Sequence, residues 1–325
     1  MPTVLFQLIS VRKSVKNKKC RYCTPTSPRS FFFVYSTDID PEEFDGIFFW
    51  VNTYERYYLR FAFFANVRID MKQPDNIQYH SDFRSFNNSV HSHCPNASLG
   101  YSNSNTGSDV LNVIERFLEN TQVHICGSAI QILLKRYPNE LDIDNLIEKI
   151  RQSHSVVNVI IPTNPSGGLY PQTMYNLATK TNGLGFYGDQ RGYNFAEDYM
   201  SYLEANPYLT YSTNVNVSGN GSVTLPSMSA SPSHHDIYIT VQDSGIVSTF
   251  QNMSLTFDGS TDTCTLSPAN GAYSTDSNYI SGSHNFIDTN YSVSLDYQYS
   301  DSKQQTLQIR VNSNYPIDYW IPYAN

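Results

Sequence analysis

Residues 128–187 read SAIQILLKRYPNELDIDNLIEKIRQSHSVVNVIIPTNPSGGLYPQTMYNLATKTNGLGFY, and the rhythm of this stretch decides the fold. Ala129 to Leu134 is an apolar-rich run without alternation. Asp142 to Ser153 then spaces Ile143, Leu146, Ile147 and Ile150 along one helix face, and Val156 to Ile161 is a second run like the first. Pro171 to Thr181 reads as another helix and Leu184 to Tyr187 as another strand. Strands without alternation are buried on both faces, which a parallel sheet between two helix layers provides. The stretch therefore predicts βαβαβ within a doubly wound, mostly parallel α/β domain. Function in such a domain sits at the carboxyl ends of the strands.

Upstream, Phe31 to Tyr35 is a short buried strand that stops at Ser36-Thr37-Asp38-Ile39-Asp40. A helix follows: Asp40 caps it, Pro41 fits its first turn, Glu42 and Glu43 suit the positive end of its dipole, and Phe44, Ile47, Phe48 and Val51 form its inner face. Tyr57 to Ile69 reads as a returning strand and Tyr79 to Phe86 as a strand or hairpin. Thr106-Gly107-Ser108-Asp109 introduces a helix that buries Val110, Val113, Ile114 and Phe117, and Phe195 to Glu204 reads as a closing helix.

From Tyr208 the composition changes to Ser, Thr, Asn, Tyr and Val with almost no Lys, Arg or Glu. Strand-like runs recur at Tyr208–Val217, Ile237–Val241, Val247–Phe257, Tyr291–Tyr299 and Thr306–Val311, separated by turn-rich stretches. That pattern predicts a small antiparallel sandwich. The expected organisation is a polar basic tail over 1–29, an α/β domain over 30–206 and a β-sandwich domain over 207–325.

A net charge of -8 and a pI near 5.4 argue against a nucleic-acid partner. The cluster Arg12, Lys13, Lys16, Lys18, Lys19 and Arg21 reads as a solvated tail. Five cysteines are too few for a disulfide scaffold, and the odd count leaves at least one outside an internal pair. Cys20 and Cys23 form a lone CxxC without the second pair that a zinc site needs. Cys94 and Cys126 flank the helix near Val110 and are the candidate disulfide, a pairing that sequence does not fix. Glycosylation sequons stand at Asn87, Asn96, Asn216, Asn220, Asn252 and Asn290, which suits an extracellular protein. The first residues do not read as a signal peptide, and no apolar run approaches the roughly 20 residues that span a bilayer.

No GxxxxGK[ST], strand-borne GxGxxG or GxSxG is present. His91, His93 and Cys94 lie on a Ser-rich stretch that reads as a solvated loop, and His234, His235 and Asp236 read as an exposed turn before a strand. Tyrosines at 273, 279, 291, 297, 299, 315, 319 and 323 suit half-buried sandwich faces, or a sugar-stacking surface.

The strand, Ser/Thr/Asp loop, helix and Thr106-Gly107 helix start, all preceding βαβαβ, resemble a von Willebrand factor A domain. The segments Cys126-Gly127-Ser128-Ala129-Ile130, Leu133 to Glu140, Asn164-Pro165-Ser166-Gly167-Gly168 and Met174 to Gly183 resemble a family of secreted nematode proteins. In that family a degenerate A-type domain is followed by a β-rich module or accompanied by C-type lectin modules. The resemblance covers about Phe31 to Glu204. An A domain of this kind normally binds Mg²⁺ through an Asp-x-Ser-x-Ser loop, a Thr from a second loop and an Asp from a third. Here Tyr35, Thr37 and Ile39 take the first pattern, Thr106 matches the second, and Lys135, Arg136 and Tyr137 stand where the acid belongs. A degenerate site near Ser36, Asp38, Asp40 and Thr106, without metal, is the expectation.

These features predict a non-enzymatic extracellular recognition or adhesion protein with no catalytic residue and no cofactor. Its protein or glycan ligand is expected at Asp38, Asp40, Thr106, Asp109, Lys135 and Arg136. The family resemblance implies a place at an epithelial surface or in innate defence. The alternative is a carbohydrate-binding sandwich carried on an inert α/β scaffold.

Overall fold

The structure, a computed structural model, describes residues 23–53, 60–188, 207–246 and 248–324. The expected closing helix at Phe195 to Glu204, the basic cluster and Cys20 lie outside the described residues, as does the start of the run from Tyr57.

The N-terminal half is a six-stranded sheet formed by β1 (Ser30–Ser36), β2 (Phe63–Ile69), β3 (Gln78–His80), β4 (Ala129–Leu133), β5 (Val156–Pro162) and β6 (Gly185–Gly188), in the order β3-β2-β1-β4-β5-β6. All neighbours pair in parallel except β3, which runs antiparallel to β2. The chain winds outward from β1 to one edge and then from β4 to the other, so the topological switch point lies between β1 and β4.

All seven residues of β1 are buried. Phe31, Phe33 and Tyr35 pack under α1 (Pro41–Thr53) and α2 (Phe83–Ser92), whereas Phe32 and Val34 pack under α3 (Val110–Leu118), α4 (Asp144–Gln152) and α5 (Pro171–Lys180). Two helix layers therefore explain the absence of alternation. The run read as a strand or hairpin at Tyr79 to Phe86 becomes three residues of β3 and then α2. Asp82 caps that helix through Oδ1 and the Ser85 amide at 2.8 Å, while Phe83, Phe86 and Val90 fall on its buried side.

The C-terminal half is a sandwich of nine strands: β7 (Tyr208–Val217), β8 (Asn220–Ser229), β9 (Ser233–Thr240), β10 (Phe250–Asp258), β11 (Thr263–Leu266), β12 (Ala272–Tyr273), β13 (Tyr279–Phe286), β14 (Asn290–Tyr299) and β15 (Gln305–Ser313). One sheet runs β11-β10-β14-β8 and the other β12-β13-β9-β15-β7, with every pair antiparallel. His234, His235 and Asp236, read as an exposed turn, belong to β9, where His235 and Asp236 are buried.

The halves meet across β6, α5 and the outer face of the five-stranded sheet. Phe186 packs edge-on against Tyr279 with centroids 4.5 Å apart. The Tyr175 hydroxyl lies 2.8 Å from Thr240 Oγ1 and donates to the Thr306 carbonyl at 2.7 Å. Arg310, fully buried, donates to the carbonyls of Gly183 and Thr213 and to Asn214 Oδ1. Burial pushes its guanidinium down to about 9.

Residues 23–29, just before β1, are anchored. Cys23 forms a disulfide with Cys126, and Arg29 is buried with its guanidinium donating to the Pro207 carbonyl at 2.7 Å. The expected Cys94–Cys126 pair is thus corrected, since Cys126 precedes β4 at the end of the sheet where Cys23 enters β1, while Cys94 follows α2 and is a free thiol. For the same reason the tail expected over 1–29 does not extend through Cys23 to Arg29.

Candidate functional site

The loops at the carboxyl ends of β1, β2, β4 and β5 converge, as the switch point requires. Arg136, just beyond β4, is 2% exposed and lies at the centre of the group. Its Nη2 contacts Asp38 Oδ2 at 3.1 Å and the Tyr101 carbonyl at 3.1 Å, and its Nη1 donates to the carbonyls of Asn103 (2.9 Å) and Thr106 (2.8 Å). The Tyr101 ring lies 5.6 Å from the guanidinium carbon. Ser166, beyond β5, donates its hydroxyl to the same Asp38 oxygen at 2.7 Å. One planar cation thus joins the loop after β1 to the segment 101–106, and Asp38 ties both to the loop after β5.

Close approach makes the glycines around this clasp necessary. A Cβ at Gly100 would stand 2.0 Å from Asp38 Oδ1, and one at Gly167 would stand 2.2 Å from Arg136 Nη1. Gly168 adopts φ +81°, and its Cβ would meet the Tyr137 carbonyl at 1.9 Å. The Pro-Ser-Gly-Gly turn is shaped by the guanidinium it covers.

A second group lies beside the first. Asp70 follows β2 in a left-handed conformation (φ 66°), and its carboxylate accepts from the Ser36 hydroxyl at 2.5 Å. Ser36 Oγ in turn accepts the Lys135 amide at 2.8 Å, and Asp109 Oδ1 accepts the Asp70 amide at 2.8 Å. Burial pushes the Asp70 carboxyl up to about 7, against the hydroxyls of Ser108 and Ser36, with the negative charges of Asp109 and Asp38 adding to the rise. Burial raises Asp109 as well.

The ligands of a divalent cation do not assemble here. Asp40 is exposed and caps α1, accepting the amides of Glu42 (2.9 Å) and Glu43 (3.2 Å) through Oδ1. Ser36 is committed to Asp70, and Thr106 contributes its carbonyl to Arg136. The carboxylate nearest the centre, Asp38, already faces a buried guanidinium, so a hard cation would meet like charge where it needs oxygen ligands. Among the described residues no cluster of three or more His, Cys, Asp or Glu side chains is arranged to hold a metal ion.

Of the six expected partner-binding residues, Asp38 and Arg136 pair with each other inside the loop cluster, Asp109 supports Asp70, and Asp40 is used as a helix cap. Arg136 is corrected from a surface contact to a buried clasp, because four acceptors converge on it from loops that sequence cannot place. Lys135 is half-buried. Around these residues the outer rim carries Leu141 and Leu169, which are 63% and 58% exposed, on loops joined by the Tyr170 amide and Pro138 carbonyl at 3.1 Å. Asp70 and Tyr101 were missed, whereas Ser166 lies in the stretch 164–168 that the sequence already singles out. Asp70 was legible as the polar residue that ends the run to Ile69, while nothing local marked Tyr101.

Among the sandwich tyrosines, Tyr291 and Tyr299 are buried in its core, with the Tyr299 hydroxyl donating to the Val241 carbonyl at 2.7 Å, while Tyr279 is buried on the outer face against Phe186 of the α/β half. Tyr315 and Tyr319 are exposed, beyond β15.

Residues 213–314, almost the whole sandwich, match the model of a family described as a domain of unknown function, DUF7154. No curated protein matches the chain. Among solved structures it is similar to proximal thread matrix protein 1 (PTMP1) from the mussel byssus, at 11% identity and a TM-score of 0.37, over 59% of this chain and 49% of that one.

Proposed function

We propose that the protein is a non-enzymatic extracellular recognition protein that engages a protein ligand through the loop rim of an A-like domain without a metal ion. The observation that carries this reading is the buried Arg136 guanidinium. It stands among the loops where the A-domain resemblance would place a metal, and it supplies as a covalent part of the chain the positive charge that a bound cation would bring. With Asp38 and Ser166 it fixes the loops, which lowers the ordering cost of binding. The exposed Leu141 and Leu169 then offer apolar contact beside the half-buried Lys135. The Cys23–Cys126 disulfide and the six sequons favour an oxidising, extracellular setting.

The test is binding of the purified full chain to an array of extracellular matrix proteins, with Mg²⁺ and Ca²⁺ or with excess chelator, for wild type and Leu141→Glu/Leu169→Glu. Expected is a signal that the chelator leaves unchanged and the double substitution removes. Loss of signal in chelator, or full binding by the folded double variant, would overturn the proposal.

A further inference from the structure

The four-stranded sheet of the sandwich has one face in the core, with Leu255, Val293 and Leu295 buried, and its other face turned away from the α/β half, which packs on the opposite sheet. On the outer face Asn220 of β8, Gln298 of β14 and Asn252 of β10 form one cross-strand row, and all three are exposed. Asn220 and Asn252 are both sequon asparagines. A third, Asn290, begins β14 on the same face, pairs with Ser229 at the end of β8, and is also exposed.

We infer that Asn220, Asn252 and Asn290 carry N-linked glycans that cover this face, and that Asn87 does not. A strand points residues n and n+2 to one side, so each asparagine and its sequon serine, Ser222, Ser254 or Ser292, share the outer face, and a glycan leaves the sheet without disturbing the core. The Oδ1 atoms of Asn220 and Asn252 accept the amides of Tyr299 (3.1 Å) and Met253 (2.9 Å), so each carboxamide is held by its oxygen. Asn87 differs: it lies within α2, half-buried, and its Oδ1 is buried without a hydrogen-bond partner.

In each transfer the Nδ2–C1 bond forms as the C1–O bond to a lipid-linked oligosaccharide pyrophosphate breaks. The pyrophosphate leaves with the bonding electrons and the amide gives up one proton. Asn220 and Asn252 are two strands apart, roughly 10 Å, and Asn290 lies about 27 Å along the sheet from their row. The edge strand β8 is thereby flanked by sugar at both ends, which blocks pairing of its open edge with another chain. Such cover also supplies solvation to a face that carries Ser, Thr, Asn and Asp where soluble proteins place Lys and Glu.

This inference rests on the extracellular reading, and the experiment separates the two. The full chain is expressed behind a heterologous secretion signal in a eukaryotic host. Both secreted and cell-retained protein are treated with N-glycosidase in ¹⁸O water and mapped by peptide mass. Label is expected at Asn220, Asn252 and Asn290 and not at Asn87, with Ser222→Ala, Ser254→Ala and Ser292→Ala each removing one glycan from the intact mass. Serine-to-threonine versions keep the sequon and retain the glycan, which guards against a variant that fails to fold. Absence of label at any of the three, or label at Asn87, overturns the assignment. A native protein without sugar beside a fully labelled secreted one would instead overturn only the extracellular reading.

Discussion

Arg136→Met removes the guanidinium while keeping most of the stem volume, and the structure specifies the cost. Asp38, whose side chain is 9% exposed, loses its ion pair, and the carbonyls of Tyr101, Asn103 and Thr106 lose their donor. Removing one partner of a buried ion pair costs about 3–5 kcal/mol, because the other charge is left in a poor solvent. In a domain of this size that corresponds to a fall in Tm of roughly 6–20 °C. The assay is thermal and urea unfolding followed by circular dichroism, on wild type, Arg136→Met, Asp38→Asn and the double variant. Neutralising Asp38 removes the stranded charge, so the double variant should be more stable than Arg136→Met alone, with a coupling of about 1–3 kcal/mol. If Arg136→Met changes stability by less than about 0.5 kcal/mol, the range of ordinary surface substitutions, the buried clasp is refuted. Arg136→Lys is expected in between, since an ammonium holds the charge but cannot span the same acceptors.

Three other outcomes follow from the same geometry. With Asp70 raised to about 7, the unfolded chain releases this proton from about pH 4 while the folded protein keeps it, so stability is lost as pH rises from about 4 to about 7. Asp70→Asn should remove that loss, so that its stability relative to wild type rises by on the order of 4 kcal/mol between pH 4 and pH 8; a flat difference in denaturant titrations refutes it. Cys126→Ser opens a link between residues separated by 103 positions and should lower stability by about 3–5 kcal/mol, with reductant destabilising wild type but not the variant. Tyr175→Phe deletes the hydroxyl shared with Thr240 and Thr306 and should cost about 1–3 kcal/mol in urea unfolding; an unchanged midpoint would show that these bonds do not hold the halves together.

Much of the architecture was legible because it is written in local periodicity. Leu146, Ile147 and Ile150 repeat at helical spacing, and β4 and β5 are apolar at nearly every position, so helix and strand could be read from neighbours a few residues apart. Asp40 was read as a helix cap for the same reason, and it is one. Phe83, Phe86 and Val90 carry a helical spacing, but the short stretch Tyr79 to Phe86 also fits a strand or hairpin, and local pattern does not separate the two. The strands β8, β11 and β13 were missed because Ser, Thr, Asn and Gly are frequent in them, and β12 because it is only two residues long; their pairing comes from partners elsewhere in the sheet.

Taken alone, the sequence determined the layers: a mostly parallel sheet between helices, then an antiparallel sandwich. Tertiary structure decided where the charges and thiols went. Arg136 meets Asp38 across 98 residues, and Cys23 meets Cys126 across 103. Both meetings depend on β1 and β4 lying side by side, which no window of adjacent residues encodes. A cation beside a loop reads as solvated in the sequence; only the order of the strands shows that its acceptors surround it and offset the cost of burying the charge.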